Sequence, residues 1–136
     1  MTSRPVFYVD RCLGKTVARE LRAAGAVVEI HDDHFPQAAA DADWIPHVAA
    51  RGWVILTKDK NIRRARGERD VVVLSEARVF SLSSGNMRGT EMADVFVRQL
   101  ADMEQIALAL VPPFMAVVDR GGISVVYPAL PPDRAS

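Results

Sequence analysis

Three aspartates stand where acidic side chains could hold a metal ion. Asp10 directly follows an apolar run, Asp59 comes shortly after another, and Asp41 opens a short helical pattern. Carboxylate oxygens are the hard ligands that Mg²⁺ and Mn²⁺ prefer, and the sequence has no cluster of His or Cys that would favour zinc. Like charges held close together repel unless a cation neutralises them. We therefore predict a Mg²⁺ or Mn²⁺ site formed by Asp10, Asp41 and Asp59.

Each acid also has a purely structural interpretation. Asp10 could end a strand in a turn, and Asp59 could cap the helix that begins near Asn61. Asp41 could lie in solvent if the preceding loop turns it outward. Asp43 is better explained as a helix cap than as a ligand, although it stays a candidate for an additional acid of the site.

The first elements of the chain predict a parallel sheet that would bring these acids together. A buried strand from Val6 to Val9 is followed by a helical pattern from Leu13 to Ala24 and a second strand from Val27 to Ile30. This β-α-β order is typical of an α/β fold. Ligands of open α/β sheets bind at the carboxyl ends of the strands, where Asp10 and Asp59 are expected.

The rest of the chain continues the alternation of strands and helices. The run 71–74 could be a strand or a buried helix face; we favour helix, because the link to the next strand is too short for two parallel strands. The further predictions are a loop over 31–40, a helix capped by Asp43 with Pro46 in its first turn, a strand over 53–56, a helix from 61 to 77, a strand over 78–83, one long helix from a Thr90 cap to Leu110, two strands over 115–119 and 123–127, and a loose tail over 128–136.

Composition places the chain among ordinary globular domains. It has 136 residues, of which 49% are hydrophobic and 25% are charged, so we expect one domain with a real core. No apolar run approaches the roughly 20 residues of a membrane span, and we expect a cytoplasmic protein with no membrane partner. Cys12 is the single cysteine, which excludes an internal disulfide and is predicted to be a small buried hydrophobe.

One segment of the chain is strongly basic. Seventeen basic residues balance seventeen acidic ones overall, but the stretch KDKNIRRARGER at 58–69 carries six basic residues against two acidic ones. Such a patch could attract phosphates. A solvated helix face would explain the same pattern.

The order and spacing of three segments resemble a known family. These segments are FYVDRCLGKTVARELRAAGAVVEIHDDHF, DADWIPHVAARGWVILTKDKNIRR and RVFSLSSGNM, and the resemblance extends over residues 7–127. The chain resembles the PIN-like domains, in particular the toxin-like branch of the VapC proteins of VapBC toxin–antitoxin systems. The resemblance implies a three-layer α/β/α Rossmann-like fold with a mostly parallel sheet, and a metal-dependent endoribonuclease site at Asp10, Asp41 and Asp59.

The resemblance also implies partners and contacts. The partners would be RNA and an antitoxin protein. Separately, the apolar face of the long helix and the C-terminal strands could build a homodimer, although a buried core face explains them equally well. Lys58, Lys60, Arg63 and Arg64 would position the RNA backbone by charge, while Arg11 and Asn86 could touch phosphate or orient ligands. Many PIN domains have a further acid after the fourth strand; here residues 83–86 read Ser-Ser-Gly-Asn, which argues against strong binding of a second metal.

Two other functions fit parts of the sequence. A catalytically silent PIN-like module that binds RNA or a protein would explain the missing fourth carboxylate and the neutral overall charge. A receiver-like phosphotransfer domain also places acids at strand ends, but it would need an acidic pair after the first strand, where this chain has Asp10 followed by Arg11.

Overall fold

The strands and helices of the chain alternate in the predicted order. The computed structural model describes residues 4–59, 62, 66–84 and 86–128. The strands are β1 (Val6–Val9), β2 (Val27–Ile30), β3 (Val54–Thr57), β4 (Arg78–Leu82), β5 (Phe114–Asp119) and β6 (Gly122–Tyr127). The helices are α1 (Lys15–Ala23), α2 (Asp41–Ala50), α3 (Arg66–Leu74), α4 (Gly89–Arg98) and α5 (Leu100–Ala109), with short 3-10 turns at Arg11–Leu13 and His31–Asp33.

The six strands form one sheet in the order β2-β1-β3-β4-β5-β6. All neighbours are parallel except β5 and β6, which are antiparallel. In the register, Val9 lies beside Leu56 of β3 and Ile30 of β2, and Thr57 lies beside Ser81 of β4. Strands β1 to β4 therefore end together at one edge of the sheet, as the sequence predicted.

Two buried clusters cover the two faces of the sheet. One combines Phe7 and Val9 with apolar residues of α1, α4 and α5, and the other combines Tyr8 and Ile55 with residues of α2 and α3. Successive side chains of a strand point to opposite faces, which explains why neighbours in β1 belong to different clusters. Helices on both faces of a mostly parallel sheet confirm the predicted three-layer α/β/α fold.

The long C-terminal helix is interrupted, contrary to the prediction of a continuous helix to Leu110. It is divided at Gln99 into α4 and α5. Gln99 is buried, and its side-chain amide donates hydrogen bonds to the carbonyl oxygens of Asp119 and Arg120, at 3.1 and 3.3 Å. The break thus coincides with a contact to the turn between β5 and β6, which local sequence does not reveal.

The predicted caps of two helices were wrong. Helix α2 begins at Asp41 with Ala40 as its N-cap, so Asp43 lies in the first turn and Pro46 lies beyond it, inside the helix. Helix α4 begins at Gly89, and the N-cap is Arg88 in place of Thr90. In α2 the burial of Trp44, Ile45 and Val48 outweighs the hydrogen bond that a proline within a helix forfeits.

The remaining predictions concern the tail and the membrane. The expected loose tail over 128–136 lies outside the described residues except for Pro128. Within the described ranges, no helix is both long and apolar enough to cross a bilayer.

Candidate metal centre

The alternation of side chains along β1 and β3 decides which face of the sheet carries the acids. Tyr8 and Ile55 belong to the cluster under α2 and α3. Asp10 and Thr57 lie two residues further along their strands, and the backbone of Asp10 is still extended, with φ −63° and ψ 145°. Their side chains therefore point to the same face as Tyr8 and Ile55. This is the face on which α2 begins with Asp41 and α3 carries Glu68 in its first turn.

Three carboxylates meet at this edge of the sheet. Asp41, Asp59 and Glu68 each offer an oxygen, and these oxygens all lie within 4.8 Å of one another. All three residues are partly buried. Such a set of oxygen donors has the chemistry that Mg²⁺ and Mn²⁺ require, and not the nitrogen or sulfur donors of a zinc site.

One oxygen of this cluster lacks a partner. Among the described side chains, Glu68 Oε2 is inaccessible to solvent and accepts no hydrogen bond. A buried acceptor left unsatisfied is costly, and an ion bound between the carboxylates would satisfy it. The residues present therefore fit a divalent cation.

The electrostatics of the cluster agree with this interpretation. Burial, followed by the charge of Asp10, raises the pKa of Asp41 above its ordinary value, although a hydrogen bond from Trp44 opposes the shift. Burial, followed by the charges of Asp41 and Asp59, raises the pKa of Glu68. A hydrogen bond between the Asp41 and Glu68 carboxyl groups favours the proton on Glu68. The metal-free site thus disfavours full ionisation, as expected for acids placed to receive a cation.

Asp10 lies beside this cluster and is fixed by the neighbouring strand. The Thr57 hydroxyl donates to Asp10 Oδ2 at 2.8 Å, and Thr57 Oγ1 in turn accepts the backbone N–H of Asp59 at 3.0 Å. Both Asp10 and Thr57 are buried. Asp10 is not among the described residues whose oxygens all lie within 4.8 Å of one another, but its charge acts on Asp41. The structure thus places the three predicted aspartates at one edge, with Asp10 on the flank.

The sequence prediction missed Glu68. It lies within the basic segment 58–69, where it was counted only as one of two acids opposing six basic residues. The signal that could have found it is Val72, which is fully buried and lies one helical turn after Glu68. Residues four apart share a helix face, so Glu68 had to face the sheet as well.

The other predicted residues are more dispersed. Arg11 and Asn86 are exposed and Lys58 is partly exposed, whereas Lys60, Arg63 and Arg64 lie outside the described residues. Asp43 is exposed on α2 and does not join the acidic cluster of the described residues.

Cys12 was predicted to be a small buried hydrophobe, and this was wrong. The residue as a whole is exposed, although its sulfur turns inward and lies 3.4 Å from Asp10 Oδ2 and 3.5 Å from Thr57 Oγ1. Burial of the thiol, followed by the charge of Asp10, raises the pKa of Cys12 to about 11. The thiol is therefore protonated at neutral pH, which suits a donor to the Asp10 carboxylate and not a nucleophile.

Comparison with known families identifies the fold that carries this site. A family model described as "PIN like domain" matches residues 5–84, which include β1 to β4 and every acid of the cluster. This chain belongs to the PIN-like domain family. Membership confirms the resemblance seen in the sequence and argues against the receiver-like alternative.

A similar curated protein extends the match of this PIN-like domain beyond the region of the family model. It is named "Putative ribonuclease VapC45", from Mycobacterium tuberculosis (strain ATCC 25618 / H37Rv), and is 32% identical over 105 residues. The alignment covers 74% of this chain and 76% of the relative. No solved structure matches the chain.

Proposed function

We propose that this PIN-like domain is a metal-dependent endoribonuclease that hydrolyses RNA phosphodiester bonds with Mg²⁺ or Mn²⁺. The observation that supports this most directly is the cluster of Asp41, Asp59 and Glu68, with its unsatisfied buried oxygen, at the carboxyl edge of a PIN-like sheet. The name of the M. tuberculosis relative supports the choice of RNA as substrate.

The residues divide into ligands and positioning groups. Asp41, Asp59 and Glu68 would hold the ion, and Asp10 would bind it directly or through water. A bound divalent cation would activate water for attack on phosphorus and stabilise charge on the phosphoryl oxygens. Thr57 keeps the Asp10 carboxylate and the Asp59 backbone in fixed relative positions by its two hydrogen bonds. Glu68 would provide the fourth carboxylate that residues 83–86 do not offer.

Basic residues around the acids would bind the RNA backbone. Arg11 follows Asp10 and is exposed, and Lys58 precedes Asp59 and is partly exposed, so each could reach a phosphate next to the site. From their place in the sequence, Lys60, Arg63 and Arg64 would extend this surface, and Asn86 would contact phosphate from the loop after β4. The products would carry a 5′-phosphate and a 3′-hydroxyl.

The wider proposal concerns partners and location. As in VapBC pairs, the nuclease would be a toxin held inactive by an antitoxin protein, and it would act in the cytoplasm on cellular RNA. We propose that residues 1–136 work as one domain and that two copies could form a homodimer. A gene for a small antitoxin next to this one would favour the toxin assignment.

The metal can be tested without knowledge of the RNA. Calorimetric titration of Mn²⁺ should show binding to the wild type, and binding should be lost or strongly weakened in Asp41→Asn, Asp59→Asn and Glu68→Gln. Asp70→Asn is the matched control, because Asp70 is an exposed acid on the same helix as Glu68. Equal Mn²⁺ affinity in all of these proteins would contradict the proposed site.

Cleavage is tested separately with end-labelled RNA. Asp10→Asn and Asp59→Asn should keep the fold and abolish Mn²⁺-dependent cleavage, while Asp70→Asn should cut as the wild type does. Full activity in both site variants would refute the nuclease proposal. RNA binding without turnover under Mn²⁺ would support the silent module, whose motivation is the absence of an acid in residues 83–86.

A further inference from the structure

The side chain of Trp44 forms a hydrogen bond with Asp41, one of the three acids of the cluster. Its indole Nε1–H donates a hydrogen bond to Asp41 Oδ1 at 3.0 Å, and the residue is 1% exposed. An indole can donate but cannot accept, so this contact favours a negatively charged or metal-bound carboxylate over an arbitrary polar group. Buried tryptophans usually find such a partner, but here the partner belongs to the acidic cluster.

Packing fixes the plane of the Trp44 ring. The ring stacks on Tyr8, with centroids 5.1 Å apart and an interplanar angle of 29°, and meets the His31 ring edge-on at 5.8 Å. Tyr8 comes from the middle of β1, so the indole is held against the sheet itself. The direction in which its N–H points is therefore set by the fold and not by the ligand.

The neighbours of Trp44 are themselves held in place. The Tyr8 hydroxyl is hydrogen-bonded to His31 Nδ1, and His31 Nε2 lies 3.1 Å from the carbonyl oxygen of Pro36. The Pro36 carbonyl oxygen can only accept, so His31 Nε2 donates to it, which leaves Nδ1 to accept from the Tyr8 hydroxyl. The polar atoms of Tyr8, His31 and Trp44 thus all have partners.

The Asp41 carboxylate needs such a restraint. It faces the charges of Asp10 and Asp59, which would turn a free side chain toward solvent in the absence of a cation. The hydrogen bond to Trp44 uses Oδ1 and keeps the carboxyl group at the cluster. Residues that orient metal ligands in this way raise metal affinity by reducing the rearrangement that binding requires.

We infer that Trp44 is a positioning residue for the metal site, which preorganises Asp41 through its indole N–H. The inference rests on the proposed function and deepens it. The metal affinity would then depend on a hydrogen bond from a residue that touches neither the ion nor the RNA.

The chain provides a matched pair of variants for the test. It has two tryptophans, and Trp53 also stacks on Tyr8, with centroids 6.3 Å apart and an angle of 19°. Trp44→Phe keeps an aromatic ring but removes the N–H, and Trp53→Phe makes the same change without touching Asp41. Calorimetry with Mn²⁺ should show an affinity about tenfold to a hundredfold lower in Trp44→Phe. Trp53→Phe should bind as the wild type does, and urea unfolding should show both variants folded.

A second measurement leaves Trp44 in place. In Trp53→Phe, Trp44 is the one remaining indole, so its fluorescence reports on the hydrogen bond to Asp41. Titration with Mg²⁺ should change the emission of this variant, and addition of Asp59→Asn should abolish the change. This readout remains available even if Trp44→Phe does not fold.

The outcomes separate the inference from the proposed function. Three outcomes would overturn the role of Trp44 alone. They are an unchanged Mn²⁺ affinity in folded Trp44→Phe, an equal loss of affinity in both tryptophan variants, and Trp44 emission that does not change with Mg²⁺ although the wild type binds the ion. A wild type that binds neither Mn²⁺ nor Mg²⁺ would overturn the metal site and the inference together.

Discussion

Thr57 joins two aspartates that are far apart in sequence. Its hydroxyl donates to Asp10 and accepts from the backbone of Asp59, and the side chain is fully buried. A valine there has nearly the same shape but can make neither bond. The Asp59 N–H and the buried Asp10 carboxylate would each lose one hydrogen bond.

We therefore expect Thr57→Val to lower the free energy of unfolding by about 1 to 3 kcal/mol and to weaken Mn²⁺ binding. Thr57→Ser, which keeps the hydroxyl, should retain the Mn²⁺ affinity. Urea unfolding and calorimetry measure the two effects. Thr16→Val is the control, since Thr16 lies on α1, away from the acids. Wild-type metal affinity in Thr57→Val would show that the hydroxyl does not organise the site.

Glu68 should make the stability of the metal-free protein depend on pH. Its pKa is raised by burial and by the charges of Asp41 and Asp59, so the folded state binds the proton more tightly than the unfolded state does. This contribution to stability is complete below the ordinary carboxyl pKa and is lost as the pH rises through the raised value.

Glu68→Gln removes this loss. The free energy of unfolding of the variant, relative to wild type, should become more favourable as the pH rises from about 4 to about 8. Urea unfolding in a chelator at several pH values measures it, and Asp70→Asn controls for removing one carboxylate from the same helix. If the difference in unfolding free energy between Glu68→Gln and wild type stays constant with pH, the pKa of Glu68 is not raised in the folded protein.

At the residue scale, the sequence predicted those acids of the site that lie at the end of a strand or at the start of a helix. Asp10 and Asp59 follow apolar runs, and Asp41 begins a helix. Glu68 and Trp44 could not be found in this way, because their roles depend on how α3 and α2 pack on the sheet. The segment around Glu68 indicates a basic helix, with the apolar Val72 one turn later as the sole hint that Glu68 faces the sheet, and Trp44 indicates only a buried aromatic residue.

At the scale of elements, the interruption between α4 and α5 depends on one buried amide. The backbone around Gln99 stays close to helical, since the Gln99 N–H still bonds to the Val95 carbonyl at 3.1 Å and the Met103 N–H bonds to the Gln99 carbonyl at 2.8 Å. The side chain then satisfies the carbonyls of Asp119 and Arg120 in the turn between β5 and β6.

Gln99→Leu should lower the free energy of unfolding by about 1 to 2 kcal/mol, because two carbonyl oxygens of the turn lose their donor. Gln105→Leu makes the same change at an exposed position of α5 and should stay within about 0.5 kcal/mol of wild type. Equal unfolding midpoints in urea for the two variants would show that the contact contributes nothing.

The strands could be predicted and the helix break could not, for a physical reason. Buried parallel strands are continuous apolar runs, so β1, β2 and β3 are visible in the sequence alone. The helical period, by contrast, runs through Gln99 without a change. The contact that marks the break is with a turn about twenty residues away along the chain, which only the folded molecule brings near.

At the scale of the whole molecule, metal binding and folding should be coupled. The acids come from α2, α3 and the residues that follow β1 and β3, so the site exists only when the layers are assembled. An ion that binds the folded state alone adds about 2.7 kcal/mol of stability at a hundredfold excess over its Kd.

We therefore expect the free energy of unfolding, measured in urea, to rise with the logarithm of the Mn²⁺ concentration once that concentration exceeds the Kd. The gain should disappear in Asp59→Asn, while Asp70→Asn should retain it. A similar gain in Asp59→Asn would mean that Mn²⁺ stabilises the protein from another site.

Asp10 points to the same face of the sheet as Tyr8, two residues before it, as Thr57 does with Ile55. Evolution can therefore not add or remove a single residue between such a pair without moving the acid. One residue inserted or deleted between Tyr8 and Asp10 would turn the acid to the opposite layer, under α1, even though every side chain were kept. The exposed stretch 36–38 before Asp41 is not part of a strand, so insertions or deletions there do not reverse the direction of a side chain. Homologous sequences should therefore vary in length before α2. They should keep the two-residue spacing between the positions of Tyr8 and Asp10.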